Sequence, residues 1–329
     1  MANVERLSLL HKVATLYYEK GLKKYDIAQK IKQSPTQVWL LLKEAIDAGI
    51  VRIEIKLPSF TVLQESLKVK YSLQDVVVVP FDKDFGQLRS NLSRASANYF
   101  EAKVKDKMKV AIGGGYLTYK MVEYLEEKLR NIDIYPTALI GRDNGITHID
   151  PVILVNLLWA KCGHLYQKAH YFTLTPPNES ANTFEIKNHY DEIKSDPRLQ
   201  RFLSAMSDVD IIFTSIGSLG IDKTFNSNPS KPKNLAVSIK ASEEELKNQG
   251  VAGDIVYSFF DKNGKSKPEW SVFPAIDIEN LKSMSKDKNK KIVVTAGYYK
   301  NKSLKTVLEN RICNVLITDA YSAELILSK

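Results

Sequence analysis

Residues 21–55, GLKKYDIAQKIKQSPTQVWLLLKEAIDAGIVRIEI, predict a short helix, a turn, a longer helix and a strand. Ser34 is a favourable N-cap, and Pro35 suits the first helical turn because its missing N–H would have no partner there. Helix, turn, helix and β-wing is the outline of a winged helix-turn-helix, whose second helix enters the major groove of DNA. The predicted bounds are 25–31 and 35–48 for the helices and 51–56 for the strand.

The second helix has one apolar face, because Val38, Leu41, Leu42 and Ala45 recur at helical spacing. This face is expected to be buried against protein, which directs the opposite side chains outward. A helix so oriented can present polar groups to base edges and a lysine to the phosphate backbone. The side chains expected to face the bases are Thr36, Gln37 and Leu40, and the one expected to face a phosphate is Lys43.

The composition indicates a soluble, cytoplasmic protein of two domains. The chain of 329 residues has a formal net charge of +9, and its first 57 residues hold ten basic and six acidic side chains. That excess suits a module that contacts phosphates, although a lysine-rich proteome would also produce it. Cys162 and Cys313 lie far apart in apolar surroundings and indicate a reducing compartment, and the five histidines lack metal-ligand spacing. We expect no metal, no cofactor and no membrane-spanning segment.

From residue 75 onward, short apolar strands alternate with helices, which predicts a mostly parallel sheet covered by helices on both faces. The fold class is therefore α/β, with an N-terminal all-α winged helix-turn-helix followed by a Rossmann-like α/β domain. An amphipathic helix over 4–20 is expected to brace the helix-turn-helix, and a helix over 62–71 to link the domains. Predicted strands are 76–79, 110–112, 134–140, 171–174, 209–213, 255–260, 292–295 and 315–318; predicted helices are 87–105, 116–130, 151–161, 197–206 and 243–249.

Four segments are expected at the carboxyl ends of these strands, where parallel sheets bind ligands. Residues 113–115, GGG, would let backbone N–H groups approach an anion, although a tight turn explains them equally well. Residues 215–220, SIGSLG, add two hydroxyls, and Asp254 could hold sugar hydroxyls or cap the next segment. Lys300 follows a strand at a helix start, where a cation opposes the helix dipole unless an anion or solvent offsets it.

No catalytic constellation is evident in the sequence. We find no nucleophile with an adjacent base, no paired carboxylates and no metalloprotease motif. Asp319 ends a predicted strand and could be a lone base, yet an N-cap of the last helix explains it as well. Residues 261–264, DKNG, resemble the start of a calcium loop without its remaining ligands, so a hairpin turn is expected there.

Several stretches together resemble the SorC family of sugar-binding transcriptional regulators across nearly the whole chain. They are the head LYYEKG, DIAQKI and LLKEAIDAGIVRIEI, the Asp150-Pro151 helix with LVNLL, and then DVDIIFTSIGSLG, GVAGDIVYSFFDKNG, TAGYYK and NVLITDAYSAELIL. The resemblance implies a winged helix-turn-helix joined to an isomerase-like effector domain that binds a sugar phosphate and assembles as dimers of dimers. The implied domains are 1–57 for DNA binding, 58–74 as a linker helix and 75–329 for sugar binding and oligomerisation.

The resemblance also assigns an effector site. Ser215, Gly217, Asp254 and Lys300 fall where the effector residues of the family lie. The family's phosphate loop, G-x-S-W-G-x-T, becomes GGGYLTY at residues 113–119, which replaces its serine, second glycine and threonine. The effector-binding residues implied are Gly113, Gly115, Tyr116, Tyr119, Ser215, Gly217, Ser218, Asp254, Gly297 and Lys300.

The recognition helix departs from the family pattern. Trp39 and Leu40 stand where the family often has Ser-Arg, and Lys24 stands where it has Gln. Losing the arginine removes a guanine or phosphate contact, so a different operator is expected. With Ser34 added, the predicted DNA-binding residues become Lys24, Ser34, Thr36, Gln37, Trp39, Leu40 and Lys43.

The sequence therefore predicts a transcriptional repressor of carbohydrate metabolism that binds double-stranded operator DNA and a sugar or sugar-phosphate effector. The chain is expected to be a homodimer or homotetramer. One alternative is a sugar-phosphate isomerase-like enzyme or deacylase with an appended helix-turn-helix. Another is a protein-interaction module, an αα-hairpin that packs only on protein and uses Trp39 and Leu40 as an exposed apolar contact.

Overall fold

The computed structural model describes residues 2–52, 60–140, 150–163, 168–178, 180–219 and 239–328. The chain divides into two compact units, Met1–Leu57 and Pro58–Lys329. The predicted wing falls largely on residues 53–59, which lie outside the described residues. Each unit has its own buried apolar cluster.

The first unit is a helical bundle in which three α-helices enclose a small core. The helices predicted over 25–31 and 35–48 are confirmed to within a residue at each end, and the N-terminal helix changes to a π-helical turn near its end. The bounds are α1 Ala2–Ala14, the π-turn Thr15–Glu19, α2 Lys24–Ile31 and α3 Pro35–Asp47. The core residues are Leu10, Val13, Ala14, Ile27, Ala28, Val38, Leu41, Leu42 and Ala45.

The start of α3 is fixed by its cap and by an ion pair to α1. The Ser34 hydroxyl accepts a hydrogen bond from the backbone N–H of Gln37 at 3.1 Å, as predicted for an N-cap. Arg6 of α1 makes a bidentate contact with the carboxylate of Glu44 on α3. Its Nε donates to Oε1 at 2.9 Å, and its Nη2 donates to Oε2. Both side chains are exposed, so the pair orients α3 more than it stabilises the unit.

The second unit contains nine strands and ten α-helices among the described residues. The strands are β1 Asp75–Val79, β2 Lys109–Ile112, β3 Asp133–Pro136, β4 Lys168–Ala169, β5 Ile211–Ser218, β6 Val251–Ile255, β7 Ser258–Asp261, β8 Lys291–Thr295 and β9 Val315–Asp319. The helices are α4 Thr61–Tyr71, α5 Phe85–Lys103, α6 Tyr116–Tyr124, α7 Pro151–Lys161, α8 Thr183–Lys194, α9 Pro197–Ser207, α10 Glu243–Asn248, α11 Ile278–Lys286, α12 Asn301–Glu309 and α13 Ala320–Leu327.

Seven strands form a parallel sheet in the order β1-β9-β8-β5-β2-β3-β4, which confirms the predicted fold class. From β2 the chain proceeds outward through β3 to β4, whereas from β5 it proceeds the other way through β8 and β9. The strand order therefore reverses between β2 and β5. In open α/β sheets this reversal leaves a crevice at the carboxyl ends of the two strands.

Strand β5 is longer than the predicted 209–213, and its last residues leave the parallel sheet. Residues 216–218 pair antiparallel with β6, which turns back into β7. The two-residue turn of this hairpin, Val256 and Tyr257, has φ angles of 46° and 66°. Positive φ at both central positions matches the twist of a hairpin, but a β-branched valine rarely adopts it.

Helix α4, predicted as a linker helix, packs within the second unit. The Lys70 ammonium donates to the carbonyl of Ile326 at 2.9 Å and of Leu327 at 3.2 Å, at the end of α13. The side-chain oxygen of Gln64 accepts from the N–H of Val78 on β1 at 3.0 Å. A cation at the C-terminal end of a helix meets the negative end of its dipole, which favours this docking.

Several predicted bounds are wrong. The helix predicted over 116–130 ends at Tyr124, the strand predicted over 134–140 ends at Pro136, and residues 171–174 form no strand. Residues 255–260 are two strands separated by a turn. Helices α8 and α11 were not predicted, although Asn182 and Glu185 form a capping box at the start of α8.

Candidate functional site

The crevice at the strand reversal is bordered by three predicted segments. Gly113 follows β2, Ser215 lies near the end of the parallel part of β5, and Gly297 follows β8. A Cβ at Gly113 would lie 2.3 Å from the Thr214 hydroxyl, so the two neighbouring strand ends touch there. The fold thus brings the three segments to one edge of the sheet.

Lys300 is the cation of this crevice that the sequence predicted. It ends the short 3₁₀ turn Tyr298–Lys300 and stands at the N-cap of α12. Its ammonium donates a hydrogen bond to the Ser215 hydroxyl at 2.7 Å and lies 5.5 Å from the centroid of the Tyr299 ring. Since the helix start already carries partial positive charge, the lysine leaves the site suited to a negative ligand.

Asp254 lies in strand β6 rather than in the predicted loop, and it is packed against the backbone of β5. It pairs with Gly217 across the antiparallel ladder. A Cβ at Gly217 would lie 1.7 Å from Oδ1 of Asp254 and 2.5 Å from its Cγ. Only glycine therefore admits the carboxylate at this position. Ser215 and Gly217 lie on one face of β5 and Ser218 on the other, because side chains alternate along a strand.

Burial shifts both charged groups of this pair toward neutrality. It raises the pKa of the Asp254 carboxyl to about 6, a rise that the neighbouring Lys300 ammonium opposes. It lowers the pKa of Lys300 to about 8, with Asp254 opposing that fall and Arg89 adding to it. Between about pH 6 and about pH 8 the crevice consequently holds both a carboxylate and an ammonium. Perturbed groups of opposite sign in a cleft are typical of binding and catalytic sites.

Arg89 was missed by the sequence analysis, and it lies beside the glycine segment. Its guanidinium carbon is 3.2 Å from the ring centroid of Tyr116, the first residue of α6, and 5.0 Å from that of Phe85. Only 6% of its surface is exposed. A signal was present, because Arg89 shares helical spacing with Leu92, Ser93 and Ser96, all of which are buried.

The remaining predicted effector residues follow β2 and β8, and one of them lies away from the crevice. Gly115 is the N-cap of α6 with φ 116°, a conformation that other residues rarely adopt, and no side chain caps this helix. Gly297 lies close to the Tyr299 ring. A Cβ added at Gly297 would lie 2.8 Å from Cε1 of that ring. Tyr119 bonds the Glu123 carboxylate and lines a separate groove of about 550 Å³ between α6 and α7. The structure therefore brings together Ser215, Gly217, Asp254, Lys300 and the segment 113–116.

Asp319 caps the last helix. Its oxygens accept from the backbone N–H of Tyr298 at 2.8 Å, the Ser322 N–H at 2.9 Å and the Ser322 hydroxyl at 2.8 Å. Its lone pairs are thus used to hold the turn 295–300 against α13. Asp261 likewise accepts from the N–H groups of Asn263 and Lys265, as a hairpin turn requires. In the described part of the chain, no three His, Cys, Asp or Glu residues are grouped to hold a metal ion.

The outward face of α3 has the composition of the predicted DNA interface. Trp39 and Leu40 are 49% and 44% exposed, and the Lys43 ammonium lies 5.9 Å from the Trp39 ring centroid. Thr36 is exposed and Gln37 is half-buried. Lys24 is half-buried at the start of α2, and the Ser34 hydroxyl is engaged as the helix cap. On α3 itself, the exposed members of this set are Thr36, Trp39, Leu40 and Lys43.

Residues 58–328 match the family model Sugar-bind, which describes a sugar-binding domain. The chain is 24% identical to the Deoxyribonucleoside regulator of Bacillus subtilis (strain 168), over 98% of each protein. It is 25% identical to the Sorbitol operon regulator of Klebsiella pneumoniae, over 99% of this chain and 100% of that one.

Among solved structures, full-length SorC of Klebsiella pneumoniae is similar at a TM-score of 0.71 and 21% identity, over 98% of each chain. A DeoR family transcriptional regulator from Listeria monocytogenes is similar at a TM-score of 0.63 and 20% identity, over 80% of this chain and 98% of that one. These likenesses support the α/β fold. Within the described ranges, every helix is too short or too polar to cross a membrane.

Proposed function

The chain belongs to the sugar-binding domain family, as its resemblance to SorC-type regulators predicted, and on that premise we propose that it is a DNA-binding transcriptional repressor controlled by a sugar or sugar-phosphate effector. Its curated relatives are named as regulators of the sorbitol operon, of deoxyribonucleosides and of central glycolytic genes. The first unit is proposed to bind operator DNA and the second to bind the effector. We propose that the protein acts in the cytoplasm.

The observation that carries this proposal is the polar cluster in the crevice of the second unit. Lys300 donates to Ser215, and Asp254 packs against Gly217 on the same face of β5. A carboxylate can accept hydrogen bonds from sugar hydroxyls, while an ammonium and a hydroxyl can hold a phosphate or further hydroxyls. A few convergent polar groups in a crevice beside aromatic rings are typical of small-ligand sites.

We further propose that the crevice binds its ligand without turning it over. Asp254 is the carboxylate that contacts the crevice cluster, and Asp319 uses its oxygens to cap α13. Isomerases and deacylases need a positioned acid and base at the reacting carbon. Incubation with pentose and hexose phosphates, followed by product analysis, tests whether the crevice binds without turnover. Any turnover that depends on Asp254 would show that the protein is an enzyme.

The effector proposal is tested by thermal unfolding with a panel of sugars and sugar phosphates. A ligand that binds only the folded protein stabilises it by ~2.7 kcal/mol at ~100 times its dissociation constant. A repressor should also bind its operator more weakly when the effector is present. Couplings between two sites are typically ~1–3 kcal/mol, which corresponds to roughly 5- to 150-fold in affinity. We propose that α4 transmits this coupling together with an oligomer interface.

Replacing Lys43 by Ala is expected to weaken binding to specific and non-specific DNA alike, because a lysine on the outward face of α3 would neutralise a phosphate. The slope of log affinity against log salt concentration should flatten by about one unit. Lys12, in the last turn of α1, offers a matched control as another exposed lysine of this unit. Binding to promoter DNA titrated with salt measures both, and an unchanged slope in Lys43→Ala would remove this residue from the interface.

We also propose that the chain assembles as a homodimer or homotetramer. Two-fold related helix-turn-helix units suit a palindromic operator whose half-sites lie about one helical turn, or a multiple of it, apart. Light scattering at micromolar concentration is therefore expected to give at least twice the 37.2 kDa mass of one chain. A single-chain mass both with and without DNA would contradict the assembly.

A further inference from the structure

Arg89 is a buried arginine whose guanidinium lies against two aromatic rings. It lies on α5 with its guanidinium carbon 3.2 Å from the Tyr116 centroid and 5.0 Å from the Phe85 centroid. Stacking of this kind attracts a cation to the faces of the rings but satisfies none of its five N–H donors. The ring contacts therefore leave the N–H donors of the guanidinium for another partner.

Within the residues that the structure describes, Arg89 makes no hydrogen bond and no ion pair, although it is 94% buried. Burying a charge without a partner is costly, so such arginines are rare unless a ligand completes them. Burial accordingly lowers the pKa of the guanidinium, against the influence of the Tyr299 and Tyr116 hydroxyls. The arginine remains charged, because its pKa is far above neutrality even so.

The surroundings of Arg89 connect it to the crevice. The Phe85 ring lies 4.9 Å from the Tyr299 ring, and the Lys300 ammonium lies 5.5 Å from that same ring. Arg89 is also close enough to Lys300 to lower the pKa of that lysine. Asp254 acts on Lys300, whereas no carboxylate of the described residues lies within ion-pair distance of Arg89.

The start of α6 adds a second feature that favours an anion. Tyr116 opens this nine-residue helix, and Gly115, its N-cap, supplies no side-chain acceptor to the first N–H groups. Backbone N–H groups at an uncapped helix start bind oxyanions readily. Arg89 stacks on the side chain of Tyr116, the first residue of this helix.

We propose that Arg89 binds the phosphate group of a sugar-phosphate effector, together with the first N–H groups of α6. This proposal rests on the proposed function and specifies the ligand as a phosphate monoester. The guanidinium would offer two parallel N–H groups to two phosphate oxygens, which a point charge such as lysine cannot do. Arg89 thus takes the place of the serine and threonine hydroxyls of the family pattern, where this chain has Gly115 and Tyr119, while Asp254 and Lys300 hold the remainder of the sugar.

The test uses the full-length protein with Arg89→Met, Arg89→Lys and the control Arg94→Met. Arg94 lies on the same helix and stacks on Tyr124 with its guanidinium carbon at 4.5 Å from the centroid, but it is exposed to solvent. The probes are inorganic phosphate, ribose 5-phosphate and glucose 6-phosphate, with ribose, glucose and gluconate for comparison. Thermal unfolding is followed at constant ionic strength, so that general salt effects cancel.

Phosphate-containing probes are expected to raise the Tm of the wild type and of Arg94→Met. Arg89→Met should weaken their binding by about 10- to 100-fold, the loss expected when hydrogen bonds to a charged group are removed. Arg89→Lys should retain an intermediate affinity, because lysine keeps the positive charge but lacks the parallel N–H donors of a planar guanidinium. Without any probe, Arg89→Met should unfold at the same temperature as the wild type or higher, since an unpaired buried charge has been removed.

Equal responses of the wild type and Arg89→Met to phosphate would overturn the proposal. So would stabilisation by gluconate and not by the phosphate probes, or a lower Tm of ligand-free Arg89→Met with an unchanged phosphate response. If no phosphate probe raises the Tm of the wild type but the wild type binds its promoter DNA, the Arg89 assignment is wrong and the proposal of a DNA-binding regulator stands. If phosphate raises the Tm of the wild type but the protein does not bind DNA, the proposed regulatory function is wrong and the phosphate site at Arg89 stands.

Discussion

Lys300→Ala is expected to reduce stabilisation by the effector sharply while leaving the DNA affinity of the ligand-free protein unchanged. The substitution removes the ammonium that bonds Ser215 and leaves Asp254 as an unbalanced buried carboxylate facing the ligand. A hydrogen bond to a charged group contributes ~1.5–3 kcal/mol, so the effector dissociation constant should rise ~10- to 100-fold. At a concentration that stabilises the wild type by ~2.7 kcal/mol, a 100-fold weaker variant would gain only ~0.4 kcal/mol.

Lys302→Ala is the matched control, because Lys302 lies two residues further on and is exposed on α12.

The pH dependence of effector binding gives a second readout. Effector binding should be strongest between about pH 6 and about pH 8, falling below as Asp254 is protonated and above as Lys300 is deprotonated. In Lys300→Ala the fall on the alkaline side should disappear. If this variant responds to the effector as the wild type does, Lys300 has no role in binding.

Gly217→Ala is expected to eliminate effector binding and to destabilise the second unit. The new methyl would lie 1.7 Å from Oδ1 of Asp254, and all three of its nearest atoms belong to that carboxylate. The carboxylate must therefore leave its position, or β5 and β6 must separate. Overpacking of this kind costs ~1–3 kcal/mol, to be measured by chemical denaturation followed through the aromatic residues of this unit.

The double variant Gly217→Ala/Asp254→Ala distinguishes a local clash from a general weakening of the strand. Asp254→Ala removes Cγ and both oxygens, so the free energy of unfolding should recover most of the loss caused by Gly217→Ala. Effector binding should be absent in both variants, since each lacks the carboxylate in its place. Additive losses in the double variant would show that the clash is not the cause, because independent sites add and coupled neighbours do not.

The helix-turn-helix was predictable because its signals are local. Ser34, Pro35 and the apolar spacing after them act within one helix, and the structure has that helix with that cap. The parallel sheet was predictable for a similar reason, since each buried strand is a short apolar run in the sequence. Helices α8 and α11 were missed although Ile278, Leu281 and Met284 recur on one buried face of α11 and a capping box opens α8, so their signals were present in the sequence.

The crevice was only partly predictable. Ser215 and Lys300 were identified from their positions after strands, and the structure joins them by a hydrogen bond. The contact of Asp254 with Gly217 depends on antiparallel pairing between residues 37 positions apart, which local patterns do not encode. Arg89 was overlooked because a charged residue interrupts the apolar stripe of α5 instead of marking it. A charged residue on the buried face of a helix is thus a signal worth searching for.

The hairpin that carries Asp254 also constrains the order in which the second unit folds. Its turn residues, Val256 and Tyr257, both have left-handed backbone conformations that cost roughly 1 kcal/mol or more each for such side chains. An Asn-Gly turn would form early from local preference, whereas this one must be imposed by its neighbours. Val256, Phe259 and Phe260 are fully or almost fully buried. Burial of these side chains in the apolar core therefore offsets the conformational cost of the turn. We therefore expect the hairpin to form late, after the parallel sheet has condensed, and the binding crevice to be completed only in the last stage of folding.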